Sequence, residues 1–223
     1  MNKFMLDPNS LGTIFLSWVA AAAIIYASTK FVKVQWLMYT LSVLAVVFML
    51  FVTYFFRVPN RTPVTDDPKV VTSVADGKVV IVEKVFEKEY LQRECIQVSV
   101  YMNFFDVHVN FWPLDGTVTY YQHHPGAKHL AFLPKSSDLN EHASTGMKPA
   151  NCDDEILFKQ IAGTFARRIY TDATIGNDYE IGTRCGVIKF GSRLDLFLPL
   201  DSDIKVKVGD KVKAVESVIA VLP

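Results

Sequence analysis

Two long apolar runs near the N-terminus constrain the fold of this 223-residue chain more than any other feature. Residues 11–28 and 34–56 contain no charged residue, whereas the rest of the chain is much more polar. A helix needs about 20 apolar residues to cross the hydrocarbon core of a membrane, so the second run is long enough and the first is at the short end. We therefore predict a membrane anchor at residues 1–56, made of two helices joined by residues 29–33.

An alternative for the first run is a cleaved signal peptide, because Ala20 to Ala23 supply small residues. Asp7 beside the basic Lys3, and a second apolar run directly afterwards, favour the hairpin. Lysines in the connecting loop compete with Lys3, Arg57 and Arg61 on the other side, and the count leans toward a cytoplasmic location for the rest of the chain, at the inner membrane. The 23 basic and 23 acidic residues balance, which gives no indication of a nucleic-acid partner.

Residues 57–69 contain three prolines together with Asn60 and the Asp66-Asp67 pair, which is typical of a linker. From residue 70 to 223 the sequence consists of short β-branched runs separated by glycine or proline. Six of these runs are predicted strands: 79–85, 96–101, 117–121, 156–161, 187–190 and 194–198. Residues 165–170 fit either a strand or a short helical turn, so we predict a mostly β domain with few helices.

Two segments of this domain, 75–82 and 208–220, resemble each other. Each has an Asp-Gly or Gly-Asp turn followed by a valine-rich strand, as in the half-barrels of lipoyl and biotinyl carriers. Lys78 and Lys211 lack the neighbours expected around a modified lysine. The pattern therefore predicts a barrel or half-barrel fold, without predicting a carrier function.

Cysteines and histidines give no indication of a metal site. The three cysteines are far apart and odd in number, so we interpret them as reduced and structural. His123, His124 and His129 form a cluster, but no carboxylate or cysteine close in sequence completes a ligand set. We predict that no metal binds.

Near the C-terminus, Gly191 and Ser192 lie between two apolar runs. A serine after a glycine can attack the preceding carbonyl and cut the backbone, because its hydroxyl is both a nucleophile and, later, a β-leaving group. The segment from Ile188 to Pro199 resembles the processing site of the short-form phosphatidylserine decarboxylases. Further blocks occur in that family's order: Ala75 to Val79, Phe105 to Pro113, Asn140-Glu141, Ala162-Gly163, Ala166 to Ile169 and Gly209 to Val212. The resemblance extends from about Phe56 to the C-terminus.

This resemblance implies that the chain cuts itself between Gly191 and Ser192 by an N-to-O acyl shift and β-elimination. Ser192 would become a pyruvoyl cofactor at the head of a small chain, 192–223, paired with a large chain, 1–191. The expected reaction converts phosphatidylserine to phosphatidylethanolamine through a Schiff base between the pyruvoyl group and the headgroup amine. The partners would be membrane phospholipid, the two chains of one precursor and, for a homo-oligomer, further copies.

The resemblance also assigns roles to other residues. His108 is the expected acid or base, since imidazole titrates near neutral pH, and we predict that it shares one strand face with Asp106 and Asn110. Asp76 would orient a base or take the serine proton. Arg167, Arg168 and Asn110 are expected to bind substrate, the arginines through the lipid phosphate.

The sequence departs from the family at two positions. The longer enzymes carry a second histidine where this chain has Phe111, so His108 would serve both cleavage and decarboxylation. The family's Asn-Glu-Arg is here Asn140-Glu141-His142, which removes a fixed cation.

Two other readings remain open. A non-enzymatic, membrane-tethered half-barrel adaptor would explain the anchor and the Gly-Asp turns, but it gives no reason for Gly191-Ser192. The same chemistry on an ether-linked serine phospholipid would fit the sequence equally.

Overall fold

The computed structural model describes residues 5–126, 140–150, 152–163, 168–189 and 192–223. The chain forms two compact units, Met1–Asn60 and Arg61–Pro223. Its helices are α1 (Leu11–Phe31) and α2 (Gln35–Phe55). Its strands are β1 (Met5–Leu6), β2 (Arg57–Val58), β3 (Val70–Thr72), β4 (Gly77–Glu87), β5 (Arg93–Met102), β6 (Val109–Phe111), β7 (Gly116–His124), β8 (His142–Pro149), β9 (Ile156–Ala162), β10 (Ile169–Thr171), β11 (Asp178–Tyr179), β12 (Arg184–Ile188), β13 (Ser192–Leu198), β14 (Asp203–Ile204), β15 (Lys211–Val212) and β16 (Val218–Val221).

The N-terminal unit is a hairpin of two apolar helices. The mean hydropathy reaches 1.8 in the first helix and 2.2 in the second. The helices are joined by hydrogen bonds from Trp18 Nε1 to Thr53 Oγ1 at 3.0 Å and between the hydroxyls of Ser28 and Ser42 at 3.2 Å. At about 1.5 Å per residue, 21 residues match the thickness of the hydrocarbon core. Both helices are therefore long and apolar enough to cross a membrane.

The second unit is built on an eight-stranded antiparallel sheet that curls into a half-barrel, in the order β11-β7-β8-β9-β13-β5-β4-β15. Strand β13 lies in the middle, paired with β9 on one side and β5 on the other. Its even-numbered residues, Leu194, Leu196 and Leu198, face the main hydrophobic core, which also contains Trp112 and Phe158. Two three-stranded sheets, β10-β12-β6 and β14-β16-β3, complete the unit.

The two carrier-like segments pair with each other. Lys78 and Gly77 on β4 lie opposite Lys211 and Val212 on β15, and the Val79 amide donates to the Asp210 carbonyl at 2.9 Å. Gly77 has a φ of 155°, and a Cβ at this position would collide with the Tyr101 carbonyl. The fold-class prediction of a mostly β half-barrel preceded by an apolar helical hairpin is confirmed.

Most of the predicted strands occur, with longer bounds. The prediction for 187–190 is the exception, because β12 spans Arg184–Ile188 and Phe190 lies outside the described residues. Of the ambiguous segment 165–170, the residues up to Arg167 lie outside the described ones, and β10 begins at Ile169. Sequence patterning missed β8, because its Ser, Thr, Gly and Lys residues hide a strand that is almost wholly buried.

A truncation tests whether the half-barrel folds alone. Removing residues 1–56 is expected to give a soluble, folded protein, because the eight-stranded sheet and its core lie within Arg61–Pro223. Circular dichroism and size-exclusion chromatography of the truncated protein would check this. A matched truncation that also removes Arg61 should be less stable, by about 3 kcal/mol or more, because the largely buried Asp76 would lose its charged partner. Equal melting temperatures for the two proteins would contradict that expectation.

Candidate active site

Ser192 is the first residue of β13 and is completely buried. It lies opposite Met102 on β5 and Ala162 on β9, at the end of both strands. Its hydroxyl oxygen lies 3.9 Å from Met102 Sδ. Gly191, the other residue of the predicted cleavage site, lies outside the described residues. The sheet thus holds Ser192 in the protein interior, between the apolar residues Met102 and Ala162.

His108 is also fully buried and lies just before β6. Its Nδ1 atom is 3.0 Å from the Asp106 carbonyl oxygen. A carbonyl can only accept, so Nδ1 carries a proton, and Nε2 of the neutral ring is the basic nitrogen. The His108 carbonyl accepts from the Ile188 amide at 3.3 Å, so the strand that precedes the predicted cleavage site ends beside this histidine.

The predicted alternation of Asp106, His108 and Asn110 on one strand face was wrong. Strand β6 begins only at Val109, and Asp106 belongs to the preceding turn, where its carboxylate accepts from the Asn103 amide at 2.8 Å. An Asp side chain that caps a nearby backbone amide favours a turn over an extended strand.

Asn110 is the first of three polar side chains that are joined by hydrogen bonds. Its Oδ1 atom accepts from Gln160 Nε2 at 2.9 Å, and Gln160 Oε1 accepts from the Thr171 hydroxyl at 2.5 Å. Asn110 Nδ2 lies 3.9 Å from Met102 Sδ, the sulfur atom that Ser192 also contacts. Sequence reasoning found Asn110 but missed Gln160 and Thr171, because strands distant in sequence bring these residues together.

Asp76 is held by an arginine from the predicted linker. Arg61 forms a bidentate ion pair with Asp76, in which Nη1 donates to Oδ1 and Nη2 donates to Oδ2 at 2.7 Å. The backbone amide of Ala214 also donates to Asp76 Oδ1, at 2.9 Å. The Arg61 guanidinium also lies 5.9 Å from the centre of the Phe111 ring. Sequence reasoning missed Arg61, because the surrounding prolines and polar residues are typical of exposed chain.

The predicted arginine pair is described only at Arg168, since Arg167 lies outside the described residues. The Arg168 side chain is exposed, and its Nη1 donates to the Tyr170 hydroxyl at 3.2 Å. Its backbone carbonyl accepts from the Lys189 amide at 3.1 Å. One exposed arginine therefore pairs through its backbone with Lys189, two residues before the predicted cleavage site.

A buried ion pair follows Ser192 directly, on the opposite face of β13. Arg193 Nε and Nη2 donate to the two oxygens of Asp195, both at 2.7 Å, and Gln97 Nε2 donates to Asp195 Oδ2 at 3.2 Å. Both charged side chains have zero exposure. A buried charge is tolerated only when it is paired and hydrogen-bonded, as here, and the bond from Gln97 ties the pair to the neighbouring strand β5.

The same face of the sheet carries a cluster around Glu89. Atoms of Glu89, His124 and His142 that could bind a metal all lie within 4.8 Å of one another. The sequence placed no carboxylate near these histidines, but the β4–β5 hairpin brings Glu89 to 2.8 Å from His124 Nε2. The Glu89 oxygens also accept from Tyr120, Ser144 and Lys159, at 3.2, 3.0 and 2.7 Å. Protein donors thus already satisfy this carboxylate, and Lys159 supplies a positive charge.

Comparisons with known proteins point to one family. A family model described as phosphatidylserine decarboxylase matches residues 48–220. A phosphatidylserine decarboxylase proenzyme of Amoebophilus asiaticus is 44% identical over 171 residues, 77% of this chain and 75% of the relative. A protein of the same name from Porphyromonas gingivalis is 42% identical over 83% of this chain and 84% of the relative. Another, from Desulfotalea psychrophila, is 38% identical over 79% of this chain and 83% of the relative.

Acid should destabilise the fold through Glu89. Burial alone would raise the pKa of this carboxyl, but Lys159, His124 and Ser144 outweigh burial and lower it from 4.5 to about 2. The unfolded chain therefore binds the proton more readily, and stability on the order of 3 kcal/mol is present above pH 4.5 and lost as the pH falls toward 2. Urea unfolding at a series of pH values should show a shallower loss for Glu89→Gln than for the wild type. Parallel curves would contradict the assignment.

Proposed function

The chain belongs to the phosphatidylserine decarboxylase family, and we propose that it is a membrane-anchored proenzyme that cuts itself between Gly191 and Ser192. The pyruvoyl group so formed would serve the conversion of phosphatidylserine to phosphatidylethanolamine. The observation that carries the proposal is the position of Ser192, fully buried at the start of a central strand with His108 beside the strand that leads to it.

The fold suits a chain that is cut at this bond. After cleavage, residues 193–197 remain paired with β5 on one side and β9 on the other, and β15 and β16 remain paired with β4 and β3. The small chain, 192–223, would therefore stay in the half-barrel without a covalent link. Its new N-terminal group would be held among Met102, Ala162 and the amide of Asn110.

His108 is the proposed base for cleavage. As the Ser192 oxygen attacks the Gly191 carbonyl carbon, the hydroxyl proton passes to His108 Nε2. His108 then gives that proton to the Ser192 nitrogen as the C–N bond breaks, which leaves an ester and a free amine. Loss of the α-hydrogen and of the Gly191 carboxylate leaves dehydroalanine at position 192. Water then hydrolyses its imine form to the pyruvoyl group and ammonia.

The pyruvoyl group supplies a carbonyl that binds the serine amine of the substrate and accepts the electron pair released as carbon dioxide leaves. His108 returns a proton to the substrate α-carbon. Arg168, together with Arg167, binds the lipid phosphate, for which a guanidinium is well suited. Asn110 contacts the headgroup, and Asp76 is the second proton acceptor, its charge balanced by Arg61.

The anchor keeps the site at its lipid substrate. We propose that residues 1–56 cross the inner membrane as a hairpin, that residues 57–69 lead out of it, and that residues 70–223 act on the cytoplasmic side. The two helices are long and apolar enough for this role. A serine phospholipid with ester-linked tails and one with ether-linked tails would undergo the same reaction. A homo-oligomer would leave this assignment unchanged.

Replacing the nucleophile separates the enzyme from a tethered adaptor. The wild type should run as two chains on a denaturing gel, whereas Ser192→Ala should remain a single 25.1 kDa species without activity, because alanine has no hydroxyl to attack the carbonyl. Intact mass spectrometry would locate the bond. Ser202→Ala, at another buried serine, should be cut normally. An uncut wild type favours the adaptor, and cleavage of Ser192→Ala at the same bond would point to an external protease.

His108→Ala should impair both cleavage and decarboxylation, because no second histidine replaces it at Phe111. Each effect is expected to be about 100-fold or more, the usual contribution of a positioned acid or base. The measurements are the time course of chain cleavage and the carbon dioxide released per mole of pyruvoyl formed. His123→Ala, at an exposed histidine, serves as the control. Normal cleavage without turnover would make Asp76 the base for cleavage.

A further inference from the structure

We propose that Asn110 donates a hydrogen bond from Nδ2 to the carbonyl oxygen of Gly191 while negative charge develops on that oxygen during self-cleavage. Gln160 and Thr171 act as positioning residues that hold the Asn110 amide in the donating orientation. The inference rests on the proposed function and assigns a part of the self-cleavage machinery beyond the nucleophile and the base.

The hydrogen bonds fix the orientation of both amides. The Thr171 hydroxyl could donate or accept, but its distance of 2.5 Å from Gln160 Oε1 fits an O–H···O bond and is too short for an N–H···O bond, so Thr171 is the donor. The Gln160 amine then points to Asn110 and donates to Oδ1 at 2.9 Å. A flipped Asn110 would put two amines against each other. The chain of donors therefore turns Asn110 Nδ2 away from Gln160 and toward Met102.

Asn110 Nδ2 faces a weak acceptor in a buried place. Asn110 and Gln160 have zero exposure, and the partner that the structure gives for Nδ2 is Met102 Sδ, at 3.9 Å. A thioether is a poor acceptor, so a buried amine in this position gains free energy from any stronger acceptor that forms nearby. An oxygen that becomes negative only during the reaction is such an acceptor.

The proposed nucleophile, Ser192, packs against the same methionine as this amine. Ser192 Oγ contacts the same Met102 sulfur as Asn110 Nδ2, and the Gly191 carbonyl carbon is bonded directly to the Ser192 nitrogen. The backbone also leaves room for the hydrogen-bonded side chains of Asn110 and Gln160. Gly186 lies opposite Asn110 between β12 and β6, and a Cβ there would meet the Tyr170 carbonyl and come within 3.0 Å of Gln160 Nε2.

The chemical step needs such a donor. When the Ser192 oxygen bonds to the Gly191 carbonyl carbon, the π electron pair of that carbonyl moves onto its oxygen, and the serine proton goes to the base. The oxygen carries a full negative charge until the C–N bond breaks and the carbonyl re-forms. A preorganised donor in a dry site stabilises this oxygen more than it stabilises the uncharged amide, which accelerates the step.

A double-mutant cycle tests both parts of the inference in the full-length precursor. Asn110→Ala should slow chain cleavage about 100-fold, the usual effect of losing one such donor. Thr171→Val removes the hydroxyl but keeps the shape of the side chain, and should slow cleavage about fivefold to tenfold through a less well held amide. In the Asn110→Ala background, Thr171→Val should have no further effect, because its influence passes through Asn110.

Thr145→Val is the matched control. Thr145 is a buried threonine of the same sheet whose hydroxyl has no hydrogen-bond partner among the described residues, so its loss should leave the cleavage rate unchanged. Melting temperatures of all variants, measured in the uncleavable Ser192→Ala background, show whether each is folded.

Hydroxylamine identifies the step that is slowed. It cleaves the ester that joins Gly191 to the Ser192 oxygen, so a precursor blocked after the acyl shift is cut by it and a precursor blocked before the shift is not. The Asn110→Ala precursor should resist hydroxylamine. Rapid cleavage by hydroxylamine, a normal rate of self-cleavage in folded Asn110→Ala, or additive effects in the double variant would overturn the inference. An uncut wild type would instead overturn the proposed function.

Discussion

The pairing of β13 on both of its edges is the constraint on which the rest of this structure depends. Because β9 and β5 hold this strand, its first residue, Ser192, is fixed at the sheet end, and its even-numbered leucines fill the core. The same pairing would keep the strand in place once the bond before Ser192 is cut. A free chain end at a sheet edge would fray, whereas an end between two strands keeps its neighbours on both sides.

The face of the sheet that points away from the core carries charged side chains that are nevertheless buried. Arg193 and Asp195 point away from the core, and both are buried, so they bond to each other, and Asp195 also accepts from Gln97. Lys159 is held in the same way by Glu87 and Glu89, at 3.0 and 2.7 Å. Such pairs contribute little net stability, but removing one partner leaves an uncompensated buried charge.

Sequence patterning predicted the architecture well and the site only in part. The apolar runs, the short β-branched runs and the paired Gly-Asp turns are local signals, and the hairpin of helices, most of the strands and the half-barrel were predicted from them. Strand β8 was missed, because its small and polar residues are buried on both faces by neighbours that a local pattern does not reveal. The strand predicted through Asp106 is a turn, because that side chain caps a backbone amide.

The sequence by itself determined the family and predicted the nucleophile and the chemistry, because these depend on residue identity and on order along the chain. Only the tertiary structure decided which groups surround them. It brought Arg61 onto Asp76, Glu89 onto His124, Gln160 onto Asn110 and Thr171 onto Gln160, pairs separated by 11 to 50 residues. Such contacts are set by strand order and register in the curled sheet, and a hydrogen bond between distant strands leaves no periodic signal in the chain that forms it.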